Sequence, residues 1–74
     1  MRADSALLRA VIVKLAADRQ MALDDGVVGY LVSRIERSFS AAKQAVVRLD
    51  EEGLRLRRPT SRGLAVEVVR DLLR

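Results

Sequence analysis

Arg55, Arg57, Arg58 and Arg62 gather cationic side chains in the second half of the chain, a composition suited to phosphate on nucleic acid or nucleotide, or to an acidic partner surface. The same run also suits an ordinary solvated face, because a net charge of +4 over 74 residues is modest for a dedicated nucleic-acid binder. Asp50, Glu51 and Glu52 are the densest carboxylates. Adjacent residues on a helix point to different parts of its surface, so Glu51 and Glu52 do not form a paired acid and base. With no His and no Cys, the usual general base near neutral pH, the thiolate nucleophile and the usual zinc ligands are all missing. Gly26, Gly29, Gly53 and Gly63 lie far apart, and none precedes a Gly-Lys-Ser/Thr run, so no phosphate-cradling loop is encoded. The chain by itself is expected to be non-catalytic and to need no cofactor.

What must position these side chains is a small core. At this length folding buries only about 60% of the surface of the unfolded chain. With Tyr30 and Phe39 the only aromatics, that core is built from Leu, Val, Ile and Ala, which favours packed helices. Leu8, Val11, Ile12 and Leu15 stand at i, i+3, i+4, i+7 behind Asp4 or Ser5 as a cap, predicting a first helix from about Ser5 to Arg19. Gln20 to Leu23 form a connector ending at Asp24, which is placed to cap a second helix from about Asp25 to Arg37 with Val28, Leu31, Val32 and Ile35 inward. Ser38 opens a third helix through Phe39, Ala42, Val46 and Leu49. Either Gly53 ends it, or it continues through Leu54 and Leu56 and stops before Pro59, whose ring disfavours helical geometry at Arg58; continuation is preferred. Thr60 or Ser61 then caps a fourth helix with Leu64, Ala65, Val68, Val69, Leu72 and Leu73 on one stripe. No repeat or linker divides the chain, so residues 1–74 read as a single domain.

The longest apolar runs, such as Val11 to Val13, fall far short of the roughly 20 residues that cross a bilayer. Asp4 and Arg9 interrupt any signal-like stretch at the start. The expectation is a cytoplasmic protein with no membrane contact.

Several segments resemble one family. Leu8 to Ala16 followed by Leu23-Asp24-Asp25-Gly26-Val27-Val28 looks like the opening of the C-terminal lid of an AAA+ ATPase of the DnaA/Hda type. Tyr30 to Ser38 is similar to that lid's second helix, and Pro59-Thr60-Ser61 before Val69-Arg70-Asp71-Leu72-Leu73 to its close. The resemblance covers nearly the whole chain and implies an all-α fold, a compact four-helix bundle of the lid type. It also implies that the chain is part of a longer protein whose Walker motifs lie upstream and bind ATP or ADP. In that family the third lid helix carries the sensor II arginine, which reaches the bound phosphates. The matching position here is Ser40, too short and uncharged to replace a guanidinium. Arg37 and Lys43, one turn either side and on roughly the same face, could substitute for it; the alternative, which is preferred, is that both are ordinary surface cations. Ala41-Ala42-Lys43-Gln44 departs from the run that follows the sensor in replication initiators, which leans the resemblance toward the Hda-type regulators, as does an end at Arg74 straight after the lid. The implied partners are the AAA+ core of the same protein and, through that parent, a DnaA-type initiator and the sliding clamp, in control of chromosomal replication initiation. Direct DNA binding is left open.

A second reading comes from Val47 to Gly63, which also looks like the recognition-helix end and wing of a winged helix-turn-helix regulator. It requires Leu54 to Arg57 as a strand, Leu64 to Val68 as its return, and Arg57, Arg58 and Arg62 on phosphates. A bare helical interaction module, needing no ATPase partner, is the third.

Overall fold

Three of the four helices begin where a short polar side chain stands just ahead of an apolar run at helical spacing. The computed structural model describes residues 5–57 and 61–73, with α1 at Ser5–Asp18, α2 at Asp25–Arg34, α3 at Phe39–Leu56 and α4 at Arg62–Leu72. Asp24 Oδ1 accepts from the Val27 amide at 2.8 Å, Ser38 Oγ from Ala41 at 3.1 Å, and Ser61 Oγ from Leu64 at 3.3 Å. Each satisfies one of the backbone donors that a helix start leaves unpaired. Ser5 is the first helical residue of α1; the alternative caps Asp4 and Thr60, with Arg58, Pro59 and Arg74, lie outside the described residues.

α1 ends by a different device. Gln20 takes a left-handed conformation, φ 58°, so that its amide donates to the Ala17 carbonyl at 3.0 Å and the Met21 amide to Ala16 at 2.8 Å. This is the paired closure of a Schellman motif. α2 stops at Arg34, three residues short of the expected Arg37. Ile35 turns extended (φ −86°, ψ 162°), still donating to the Leu31 carbonyl, and its side chain enters the core. The chain must leave helical geometry here, because Ser38 has to be extended to cap α3.

The helices pack in a ring, α1 on α3, α3 on α4, α4 on α2 and α2 on α1. Leu8 and Ile12, Val27, Val28 and Leu31, Ala42, Ala45, Val46 and Leu49, and Leu64, Ala65, Val68 and Val69 meet inside, with no buried polar side chain among the described residues. The radius of gyration, 11.0 Å, is that of a close-packed chain of this length. Two positions drawn into the apolar stripes are on the surface instead. Phe39, 62% exposed, is the first residue of α3, and Leu73, 66% exposed, follows the end of α4. Terminal residues of a helix project beyond the neighbours that would cover them.

Among the described residues there is no strand. Leu54 to Leu56 continue α3, Arg57 caps it with φ 52°, and Leu64 to Val68 belong to α4. The winged helix-turn-helix fold is therefore corrected. α4 sets Leu64, Ala65, Val68 and Val69 on one buried face, a spacing that a strand would split between two faces.

Candidate functional site

The residues singled out in the sequence lie at the start of α3. Ser38 is extended (φ −145°, ψ 156°); its amide donates to the Glu36 carbonyl at 2.9 Å and its hydroxyl accepts from Ala41. These two bonds, with Ala42 donating to the Ser38 carbonyl at 3.1 Å, account for the first turn except for the amides of Phe39 and Ser40. Neither has a hydrogen-bond partner among the described residues. Two free N–H groups at the positive end of an 18-residue helix form an electropositive spot able to hold an anionic oxygen.

Ser40 and Lys43 are both exposed on α3 and one turn apart, as expected. Arg37 is exposed too, but it sits in the turn before the cap and not on the helix. The expectation of three side chains on one helical face is thus corrected for Arg37, because α3 starts two residues beyond it. Lys43 also rims a shallow groove of about 370 Å³, with Gln44, Val47 and Arg48 on one side and Leu72 of α4 on the other. Arg48 also pairs with Asp71 of α4 at 3.5 Å.

Of the clustered carboxylates, Asp50 and Glu52 are engaged in surface ion pairs. Asp50 accepts from Arg19 at 2.7 Å, linking the end of α1 to α3. Glu52 accepts from Arg55 Nε at 3.1 Å and from its NH2 at 2.6 Å. That hydrogen bond, reinforced by the positive charges of Arg55 and Arg48, holds the Glu52 carboxyl below its ordinary range, and Glu52 in turn raises Arg55. A carboxylate kept ionised by its neighbour is a poor proton donor. No group of three or more candidate metal ligands gathers among the described residues.

One arrangement escaped the sequence. The guanidinium of Arg34 stands 5.4 Å and that of Arg62 5.7 Å from the centre of the Tyr30 ring. Tyr30 and Arg34 are four apart on α2, a spacing visible in the sequence. The arrival of Arg62 from the first residue of α4 depends on how the two helices cross.

The chain matches no protein-family model, no curated protein and no solved structure with which it was compared. No helix among the described residues is long and apolar enough to cross a membrane.

Proposed function

We propose that this domain is the C-terminal lid of a DnaA/Hda-like AAA+ protein, in which it closes over bound nucleotide and passes nucleotide state on to subunit contacts in control of replication initiation. The family assignment rests on the sequence resemblance set out above. The observation that carries the nucleotide role is the open first turn of α3, with the free amides of Phe39 and Ser40 beside the exposed Ser40 hydroxyl and Lys43. It stands at the register where the resemblance puts an arginine.

A helix start with free amides holds phosphate oxygens by backbone N–H groups and by its dipole. Ser40 then contributes a hydroxyl and an amide in place of a guanidinium, and Lys43, one turn on, supplies the formal charge. Arg37 stands exposed in the turn before the cap, two residues ahead of that helix. A site of this kind is weaker than a loop that wraps the whole polyphosphate, so the lid orients nucleotide that the core domain holds. The triphosphate supplies the hydrolysable bond, and nothing in this domain cleaves it. What the lid does on its own account is change its angle to the core, so that nucleotide state alters the surface met by the neighbouring subunit. The parent is then a cytoplasmic regulator, whose contacts with an initiator and a sliding clamp run through it.

The test is nucleotide titration of the parent protein carrying Ser40→Arg or Lys43→Ala. One added or lost charge-assisted contact corresponds to about tenfold in affinity. Ser40→Arg is expected to tighten ATP binding and Lys43→Ala to weaken it, while the 74-residue chain alone binds no ATP measurably. Unchanged affinity in both variants, or tight ATP binding by the domain alone, would overturn the lid reading.

A further inference from the structure

Each of three seams in the helical ring is pinned by an arginine and an aspartate. Arg9 and Asp25 join α1 to α2 at 3.9 Å, Arg19 and Asp50 join the end of α1 to α3 at 2.7 Å, and Arg48 and Asp71 join α3 to α4 at 3.5 Å. The fourth seam, α2 against α4, has Arg62 laid over the Tyr30 ring instead, with Arg34 over the same ring. Neither guanidinium has a carboxylate within ion-pair distance among the described residues. The remaining intrahelical pairs, Lys14 with Asp18 and Arg55 with Glu52, lie on α1 and α3. Each of three seams is thus crossed by an ion pair, whereas the fourth is crossed by a guanidinium on a ring that a second guanidinium shares.

We infer that the α2–α4 seam, through Arg34 and Arg62, is a contact site for the phosphate backbone of nucleic acid. A guanidinium that lies over an aromatic ring uses its face for that contact and keeps the N–H groups along its edge for an anion. The Tyr30 ring is half-buried and packed against the core cluster, while both arginines are exposed. Two guanidinium carbons at 5.4 and 5.7 Å from one centroid stand no further apart than about 11 Å. A nucleic-acid strand carries a charge about every 3.4 Å of axis, so two cations within that limit lie close enough to meet neighbouring phosphates of one strand. An array of like charges at short, regular intervals answers that spacing better than the scattered carboxylates of an acidic protein surface. The whole-chain isoelectric point of about 10.7 acts in the same direction at longer range. Neither arginine reads a base edge here, so the contact is expected to tolerate sequence. It uses no wing, and it is independent of the lid reading.

The experiment is fluorescence anisotropy of the 74-residue chain with labelled single- and double-stranded DNA of 20 nucleotides per strand, from about 50 to 200 mM salt. Arg34→Gln with Arg62→Gln is compared with Lys14→Gln plus Arg55→Gln, which removes equal charge, and circular dichroism checks that all fold. Each phosphate contact adds about 0.7 (single strand) to 0.9 (duplex) to the salt slope, so two contacts make the wild type lose roughly 7- to 12-fold more affinity over that range than the first double variant. The second double variant is expected to keep the wild-type slope. Three results would overturn the inference: no binding to either DNA at the lowest salt, equal losses in the two double variants, or poly-glutamate competing as well as DNA, which would mark the seam as a dock for an acidic protein.

Discussion

Gln20 and Arg57 are the described residues other than glycine that hold positive φ, at 58° and 52°. A side chain in that region crowds its own carbonyl, and glycine does not. Gln20 keeps the conformation because it closes α1: without it the Ala17 carbonyl would lose the Gln20 amide, and the Ala16 carbonyl would lose the Met21 amide and keep only that of Arg19. Gln20→Gly is therefore expected to raise stability by about 0.5 to 1 kcal/mol, the relief of strain less the added freedom of the unfolded chain, read as a higher urea midpoint. A lower midpoint would mean that α1 closes in some other way in solution. The caps at Asp24 and Ser38 could be read in advance, and Ser61 as one of two neighbouring candidates, since each is a short acceptor placed just before an amphipathic run. The Gln20 closure could not, because glutamine carries no preference for positive φ.

At the scale of one element, α3 shows what spacing can and cannot reveal. Its buried stripe, Ala42, Ala45, Val46 and Leu49, follows the helical period, but that stripe ends four residues before Gly53 and so does not say where the helix stops. The continuation to Leu56 is supported locally by the Glu52 and Arg55 pair, three residues apart and spanning Gly53. Gly53 is helical with negative φ. Gly53→Ala should then stabilise the domain by roughly 0.5 to 1 kcal/mol through the better helix propensity of alanine. A glycine that ended the helix in the left-handed region would give the opposite sign in the same thermal melt. Ends of the other helices moved for comparable reasons: α2 is cut short because Ile35 is needed in the core and Ser38 at the next cap.

For the whole molecule, stability rests on apolar packing with little in reserve. A domain of this length holds a total of about 4 to 11 kcal/mol. Leu31, fully buried, belongs to the central cluster in which all four helices meet. Leu31→Ala is expected to cost about 2 to 5 kcal/mol, much of that total, and to lower the urea midpoint steeply. A change under 1 kcal/mol would mean that the packing collapses around the lost methyls. The surface ion pairs at three seams add little by comparison, on the order of 0 to 1 kcal/mol each, and chiefly select which helix faces which.

The number of helices, their order, three of the four starting caps and most of the buried positions were written in the sequence, because capping and the 3.6-residue period are local. So was the absence of thiol and imidazole chemistry, a matter of composition. The exposure of Phe39 and Leu73, the place of Arg37 off the α3 face and the meeting of Arg34, Tyr30 and Arg62 were decided by tertiary structure. Each depends on where one helix ends against another, or on how two helices cross. Such distances join residues far apart in the chain, and no local periodicity encodes them.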